Sequence, residues 1–318
     1  DTSNDCLTQT SPCATITYAA SVACAGDNVR VAEGNYVEDV VISQQVHVVN
    51  TGLIINTNLR GSGTQDVVQI LASGATWSGV QVGPTAGQVC MRVGDALHPG
   101  LRNVQVSNTA LWGCRVGLLV DSTGNWNQPQ GWNRFDSLDI HDNVADGTPD
   151  SGAGVLVVNG GGRFEVKTGR LVNNGGPGIR VKPAPSGQNV SVVIAAEYAY
   201  GNGTSASADG TAAVEIHNAS DVRLEGNDFA AQTGPTVADD GRAAILDNVT
   251  SEIAYCNRFR NNDTGVVLSG GTGGLKIQEN HFLSNTGTGL LSEAGCVTGV
   301  IIHENIFQGN GTGVANQD

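Results

Sequence analysis

The stretch that decides the fold lies near the C-terminus, where residues 256–271 read CNRFRNNDTGVVLSGG. Two further copies follow it, ENHFLSNTGTGLLSEAG and HENIFQGNGTGVANQD. When the copies are aligned on Asn257, Asn280 and Asn305, each has Phe two residues later and a second Asn five residues later. A Gly and then an apolar residue come shortly after the second Asn. The aligned asparagines are 23 and 25 residues apart, so this segment is a tandem repeat with a period of about 24 residues.

Each copy contains short segments that alternate between apolar and polar residues, such as LKIQEN and GVVLS, and this alternation predicts strands with one side facing inward. A short period with two or three such strands predicts a solenoid whose successive coils pair in parallel. Leucine-rich repeats would show fixed leucines and a helix-length segment, and neither is present. We expect Gly and Asn at the corners. We further expect Asn257, Asn280 and Asn305 to form a hydrogen-bonded ladder beside an interior stack of Phe.

The composition excludes several classes of function. The chain of 318 residues has 44 Gly, only 14% charged residues and a net charge of −14. A protein that binds duplex nucleic acid needs a basic face, and 16 Lys and Arg among 30 acidic residues do not supply one. The sequence has no apolar run of membrane-spanning length. We therefore predict neither a nucleic-acid partner nor membrane insertion.

Seven cysteines are scattered along the chain with spacings that fit no zinc module. The scatter is typical of disulfides in an exported protein. The sequence opens at Asp1 without an initiator Met or a visible signal peptide, which we interpret as a processed terminus of an extracellular or cell-surface protein. Cys6 and Cys13 are close enough in sequence to form a disulfide that fastens the N-terminal segment. The odd number leaves at least one thiol free or paired between chains.

The repeat resembles the right-handed parallel β-helix repeat superfamily, the solenoids similar to pectate lyase. The resemblance is clear over residues 101–318 and weaker over residues 26–100. The N-terminal stretch NDCLTQTSPCATITYAASVACAGDNVRVAEGNYVEDVVIS is similar to the usual entry of these proteins, a Cys-bearing cap with a short helix across the open end. The resemblance implies an all-β fold: a cap over residues 1–25, then a single β-helix over residues 26–318, with a loop insertion near residues 122–134. We expect about eleven coils and a length of roughly 50 Å. The superfamily includes lyases, hydrolases, epimerases, phage tailspikes and adhesins, so it indicates the fold and not one function.

Candidate catalytic residues come from outward strand positions in three successive coils. GIRVKP points Arg180 and Lys182 outward, AVEIHN points Glu215 and His217 outward, and AAILDN points Asp247 outward. Stacking of the coils predicts two rows, one of Arg180 and Glu215 and one of Lys182, His217 and Asp247. A uronate lyase needs a base and a cation to hold the developing charge, and Lys182 or His217 could be the base with Arg180 as the cation. The alternative is a ladder of opposite charges between paired strands.

A predicted loop, DSTGNWNQPQGWNRFD, interrupts the repeat and contains Trp126 and Trp132 together with Arg134. Exposed Trp beside polar side chains suits stacking on sugar rings or an anchor at a protein interface. The same Trp residues could instead fold back and cover apolar surface. A second outward charged patch is predicted from LDIHDN and FEVKTG, again with a charge ladder as the alternative.

Carboxylates are concentrated in DSLDIHDNVADGTPD, which could contribute calcium ligands. The segment lacks the spacing of a defined calcium loop, so a solvated acidic loop is the competing interpretation. We predict no other cofactor.

Two classes of function remain. Sequence motifs of polygalacturonases, of mannuronan epimerases and of the G-x-S-x-G hydrolases are absent. The repeat also stops at Asp318 partway through a copy, which predicts an uncovered last coil. We therefore favour an extracellular surface protein with a structural, adhesive or filament-forming role, whose partner is a second copy of itself, stacked head to tail, or a surface polysaccharide. The alternative is a polysaccharide-active enzyme, most plausibly a uronate lyase. A longer chain cut at Asp318 would explain the same end.

Overall fold

The structure is a solenoid of parallel strands. The computed structural model describes residues 6–8, 10–63, 65–98, 100–123, 131–183, 190–205, 212–232, 241–250, 253–293 and 298–317. Within these residues, the chain winds through three columns of stacked strands, and pairing between the strands of successive coils is parallel. The fold is therefore an all-β, right-handed parallel β-helix, and the prediction from the repeat is confirmed.

The three columns are numbered in the order in which the chain meets them. Column 1 contains Asn28–Val31, His47–Asn50, Thr76–Ser78, Val190–Ala195, Asp221–Glu225, Ile253–Tyr255, Lys276–Gln278 and Ile301–His303. Column 2 contains Gly34–Val37, Thr57–Arg60, Gln81–Val82, Arg170–Val172, Tyr198–Tyr200, Asp228–Ala230, Arg258–Arg260, His281–Leu283 and Ile306–Gln308. Column 3 contains Val40–Ile42, Val68–Ile70, Thr85–Val93, Cys114–Thr123, Ile179–Val181, Val214–His217, Arg242–Asp247, Thr264–Ser269, Thr288–Ser292 and Thr312–Asn316.

Three long strands belong to two columns each. Gln105–Trp112 and Asn133–His141 run through columns 1 and 2, and Val155–Lys167 runs through columns 3 and 1. With these strands included, the pairings connect eleven levels in each column of the described chain. This stacking agrees with the expected number of about eleven coils.

One continuous apolar core fills the lumen of the solenoid, because alternate residues of every strand point inward. In column 2 the predicted stack of aromatic side chains is present. Phe229, Phe259, Phe282 and Phe307 lie one above another, with ring centroids 5.6, 5.0 and 4.7 Å apart. Such offset aromatic contacts add to the free energy gained from burial.

Two ladders of amide side chains run along the interior beside the Phe stack. In the first, between columns 1 and 2, Asn257 Nδ2 donates to Asn280 Oδ1 at 2.9 Å, and Asn280 Nδ2 donates to Asn305 Oδ1 at 3.0 Å. The predicted ladder is therefore confirmed. The residue before each ladder Asn has a positive φ, and Glu279 is an example at 55°. The spacing that recurs in each copy thus places the Asn side chain where it can form its hydrogen bonds, while the preceding residue makes the left-handed turn.

The second ladder lies between columns 2 and 3. Its members are Asn143, Asn174, Asn202, Gln232, Asn262, Asn285 and Asn310. Each asparagine from Asn174 onward also donates to a main-chain carbonyl oxygen of an earlier strand, as Asn262 does to Phe229 at 3.1 Å. Side-chain amides therefore provide hydrogen bonds to main-chain groups at the buried corners of the solenoid.

A short helix, Ile16–Val22, precedes the first coil and packs its buried residues Ile16 and Ala20 onto the core. Its first two N–H groups donate to the Glu38 carboxylate at 2.8 and 2.9 Å, which satisfies groups that a helix start leaves open. A single 3₁₀ turn occurs at Ile54–Asn56. The expected helix over the N-terminal end of the solenoid is confirmed. Among the described residues, no helix is both long and apolar enough to cross a membrane.

Two disulfides are present in the described chain. Cys6 is bonded to Cys13, as predicted, with Cα atoms 4.9 Å apart. Cys90 is bonded to Cys114 with Cα atoms 5.6 Å apart, and this bond joins two stacked strands of column 3 in the core. Cys24 and Cys256 are exposed free thiols. Cys296 lies outside the described residues.

Candidate functional site

The predicted catalytic residues lie on the outer side of column 3, in three consecutive coils. Arg180 is in register with Glu215, and His217 is in register with Asp247. Lys182 directly follows the strand Ile179–Val181, so it lies opposite His217 on the neighbouring coil. The two predicted rows are therefore present, because residues at alternate positions of stacked strands align along the solenoid axis.

Arg180 lies in a buried network of charges. Its Nε donates to Glu215 Oε2 at 2.8 Å, and its Nη1 donates to Asp150 Oδ1 at 3.1 Å. The other oxygen of Asp150 accepts from Lys182 Nζ at 2.8 Å. Arg180 is only 8% exposed and Glu215 only 2%. A guanidinium held between two carboxylates in this way joins a loop to two coils.

Asp150 was not among the predicted members of this cluster. The sequence places it at the end of the acidic segment, and only the fold brings it beside Arg180 and Lys182. No spacing rule could have shown this contact, because the loop that carries Asp150 folds back onto the outer side of column 3. Its backbone φ of 64° is in the left-handed region, which marks a tight turn at this point.

The second row is more open to solvent. His217 Nδ1 lies 3.0 Å from Asp247 Oδ2, and Ser269 Oγ donates to Asp247 Oδ1 at 3.2 Å. Both His217 and Asp247 are partly exposed. A carboxylate that accepts from Nδ1–H fixes the imidazole tautomer and leaves Nε2 as the nitrogen that can accept a proton. The geometry thus brings together a potential base and the predicted cation, while their catalytic role stays a prediction.

The predicted sugar-binding residues fall partly inside the described chain. Trp132 lies beside Arg163, whose guanidinium carbon is 5.5 Å from the centroid of the Trp132 ring. Arg134 is exposed, and its Nε is 3.5 Å from Glu165 Oε2. Trp126 lies outside the described residues. A role of this patch in binding carbohydrate stays a prediction.

The acidic segment does not gather its carboxylates at one point. Asp139 pairs with Arg170, Asp142 with His141, Asp146 with Thr148, and Asp150 with Arg180 and Lys182. In the described part of the chain, no group of three or more His, Cys, Asp or Glu side chains is arranged to hold a metal ion. Binding of calcium stays an untested prediction.

The second predicted charged patch is divided between two columns, and the interpretation of it as one site is wrong. Glu165 and Lys167 lie in column 1, whereas Asp139 and His141 lie in column 2. The reason is that the strand Asn133–His141 continues through the corner between the columns. One half of it pairs with the strand of Glu165, and the other half pairs with the strand Arg170–Val172.

A buried carboxyl group, Glu197, was missed by the sequence analysis. It takes the place of an asparagine at the start of the first ladder, where its main-chain N–H donates to Asn227 Oδ1 at 2.9 Å. Its Oε1 accepts from the Gly169 N–H at 2.9 Å, while Oε2 has no partner among the described residues. Burial raises the pKa of Glu197 to about 8, and the nearby charge of Asp136 adds to the rise. The group is therefore a neutral acid at neutral pH.

Fold and site define a right-handed parallel β-helix that carries charged rows on one outer side. Residues 187–318 match the protein family described as "Right handed beta helix region". Over these residues, which are fewer than half of the chain, the match agrees with the resemblance stated from the sequence. A comparison with curated proteins finds no match.

Several solved structures are similar to this chain. One is an alginate lyase from Paenibacillus sp. str. FPU-7, with 11% identity, a TM-score of 0.48 and 95% of each chain covered. Another is the tailspike protein gp49 of Acinetobacter baumannii bacteriophage Fri1, a capsular polysaccharide depolymerase. It has 13% identity and a TM-score of 0.47, with 93% of this chain and 58% of that chain covered. A third is PfbA, a surface adhesin of Streptococcus pneumoniae, with 10% identity and a TM-score of 0.46, covering 94% of this chain and 88% of that chain. These proteins differ in function, and we draw no functional argument from them.

Proposed function

We propose that this protein is an extracellular β-helical surface protein with a structural and adhesive role, and that it stacks end to end. The observation that carries the proposal is the state of Arg180, which is buried and ion-paired with both Asp150 and Glu215. A cation that stabilises charge on a substrate has to face the place where the substrate binds. Arg180 instead neutralises two carboxylates of its own chain, which supports a charge ladder between coils.

An extracellular location is supported by the two disulfides. The bond between Cys90 and Cys114 lies in the core between stacked coils. Such structural disulfides form and persist in oxidising compartments and are rare in the cytosol of most organisms. Secretion or display at a surface is therefore part of the proposal.

The end-to-end contact that we propose would use apolar side chains on the last described coil. Ile302 and Val314 continue the interior rows of Ile277 and Leu290, yet they are 45% and 47% exposed. The coil below them holds its equivalent residues almost fully buried. In the filament that we propose, the N-terminal end of a second copy, which carries the helix Ile16–Val22, covers this end surface.

Stacking can be tested with a pair of substitutions on one strand. Ile302→Asp places a charge on the end surface, whereas the matched control Ile301→Asp places it on the outer side of the same strand. We expect the parent and Ile301→Asp to assemble with increasing concentration in light scattering, and Ile302→Asp to stay monomeric. A parent protein that is monomeric at high concentration would contradict stacking. Intact mass shows whether further polypeptide supplies the covering coil.

The second candidate function is a uronate polysaccharide lyase, and one observation favours it. His217 is held by Asp247, and Lys182, which directly follows the strand Ile179–Val181, lies opposite His217 on the preceding coil. In that reaction, Lys182 or His217 would take the proton next to the uronate carboxyl group, and Arg180 would stabilise the charge that develops. This role requires Arg180 to leave part of its present network.

A screen of uronate polysaccharides, with and without calcium, distinguishes the two functions. A lyase produces unsaturated uronates, which are detected by their ultraviolet absorbance. The surface-protein proposal predicts no such product. Product that depends on His217 and Lys182, lost in His217→Ala and Lys182→Ala, would overturn it. Activity that survives both substitutions would instead show that the site is elsewhere.

A further inference from the structure

The outer side of column 2 carries aromatic and basic side chains in two parallel rows. The first row is Asp139, Arg170, Tyr198, Asp228, Arg258 and His281, and the second is Trp112, His141, Val172, Tyr200, Ala230 and Arg260. We call these residues the column 2 strip. It lies on a different column from the Arg180 network, and of its members only Asp139 and His141 were part of a patch predicted from the sequence.

The aromatic rings of the strip form two parallel pairs. Tyr198 and Tyr200 are 36% and 43% exposed, and their ring planes differ by 8° with centroids 6.4 Å apart. Trp112 and His141 are also parallel, with centroids 6.0 Å apart. Trp112, His141, Val172 and Tyr200 are successive members of one row, so the span from Trp112 to Tyr200 is about 14 Å at the strand spacing. This distance suits an extended ligand that lies along the solenoid axis.

The exposure of the tyrosines is unusual for this chain. Among the Phe, Tyr and Trp residues of the described chain, only Tyr198 and Tyr200 are exposed, and the others are buried or partly buried. Tyr and Trp have a large rigid face and a polar tip, and their faces suit stacking against rings with a weakly polar side. Tyr198 and Tyr200 thus present two parallel rings to solvent from one strand, whereas the other described rings are buried or partly buried.

The charges of the strip are held in place and leave a local excess of positive charge. Arg170 makes two hydrogen bonds of 3.1 Å to Asp139, and Arg260 makes two of 2.8 and 3.0 Å to Asp228. Arg258 Nη1 is 3.6 Å from Asp228 and remains more than half exposed. Three guanidinium groups therefore face two carboxylates, although the whole chain has a net charge of −14. Fixed guanidinium groups recognise carboxylates and similar oxyanions.

We propose that the column 2 strip binds an acidic polysaccharide, whose sugar rings stack on Tyr198 and Tyr200 and whose anionic groups bind Arg258 and Arg170. The inference rests on the proposed adhesive role and names its ligand class and its surface. In the first row, Tyr198 lies between Arg170 and Arg258, with Asp228 next to Arg258, so an aromatic ring has a guanidinium group on either side along the axis. This order suits a polymer of sugar rings that carry anionic substituents. Duplex nucleic acid is disfavoured because the rest of the surface is acidic.

The test is binding of polygalacturonate and of alginate to the intact protein by calorimetry, with neutral dextran as a control polymer. We expect binding to both uronates, none to dextran, and weakening as NaCl is raised. The variant Tyr198→Ala/Tyr200→Ala should lose about tenfold or more in affinity, because two stacking contacts are removed. Arg258→Gln should also weaken binding, while the matched control Arg30→Gln, an exposed arginine of column 1, should not.

Other outcomes of these binding measurements would overturn the inference. Unchanged affinity in the Tyr198→Ala/Tyr200→Ala variant, or no binding of either uronate by the parent, would overturn the inference. Affinity lost in Trp132→Ala alone would assign the ligand to the other aromatic patch and would also overturn it. A change of assembly state in the tyrosine variant without a change in binding would show that a second copy covers the strip. Ile302→Asp should bind like the parent, so failure of stacking and failure of this inference remain distinct.

Discussion

Replacement of Asn280 by Ala is expected to destabilise the solenoid through one buried main-chain group. Asn280 is fully buried in the middle of the first ladder. Its Oδ1 accepts from the main-chain N–H of Asn257 at 2.9 Å and from Asn257 Nδ2 at 2.9 Å. Its Nδ2 donates to Asn305 Oδ1 at 3.0 Å and to the Gln278 carbonyl at 2.9 Å. Alanine removes all four of these hydrogen bonds at once.

The loss of stability depends on which hydrogen-bond partners of Asn280 keep another bond in the variant. Asn257 Nδ2 keeps its bond to the Leu224 carbonyl at 3.0 Å, and Asn305 Oδ1 keeps the main-chain N–H of residue 280 at 2.9 Å. The main-chain N–H of Asn257 has no such replacement in the described residues. Leaving one buried donor unpaired costs about 1–3 kcal/mol. We therefore expect the free energy of unfolding to fall by about 1–3 kcal/mol.

The assay is urea denaturation followed by circular dichroism, with the slopes compared to confirm a common transition. The matched control is Asn305→Ala, at the next level of the same ladder. Asn305 lies on the last described coil and is partly exposed, so water can replace its bonds and the expected loss is below about 1 kcal/mol. If Asn280→Ala loses no more stability than Asn305→Ala, the reasoning about the buried ladder is wrong.

Other predictions concern pH and the disulfides. Glu197 holds its proton in the folded protein up to about pH 8, well above the ordinary pKa of 4.5, so the folded form binds more protons than the unfolded form in this window. The free energy of unfolding should therefore fall by about 1.4 kcal/mol per pH unit as the pH rises through this window. In thermal melts, the melting temperature of Glu197→Gln should depend less on pH than that of the parent. Peptide mapping without reduction should give Cys6 bonded to Cys13 and Cys90 bonded to Cys114; recovery of either pair as free thiols would refute that bond. Replacing Cys90 and Cys114 with Ser should cost about 2–4 kcal/mol of stability in denaturant titrations, and a double variant as stable as the parent would contradict this.

The fold could be predicted because one repeat of the sequence corresponds to one coil of the solenoid. In the last three copies, one asparagine per corner and one phenylalanine per coil recur at a nearly constant period, so their stacking follows from the period alone. The second ladder was equally visible, since Asn262, Asn285 and Asn310 recur at the same offset. It was not predicted as a ladder because the sequence does not show that both corners of a coil are buried.

The candidate site was less predictable, because contacts across loops leave no periodic signal. The rows of Arg180 and His217 follow from strand register, but the ion pair with Asp150 depends on how a long loop folds back. Glu197 was missed because the upstream coils depart from the repeat, and a Glu in the place of Asn resembles an ordinary surface acid. The column 2 strip was missed for a related reason: residues from Trp112 to His281 become neighbours only when the coils are counted correctly.

The second ladder has a consequence for producing this protein in a host that attaches N-linked sugars. Asn202, Asn262 and Asn310 each begin an Asn-x-Thr triplet, which is the acceptor signal for such sugars. The atom that would receive the sugar is Nδ2, and in all three residues this atom donates to a carbonyl inside the corner, as in the 2.9 Å bond from Asn202 to Leu171. A glycan on Nδ2 cannot fit there. Oligosaccharide transfer before folding would therefore compete directly with closure of the coil, and secretion from a eukaryotic host should improve when these threonines are replaced.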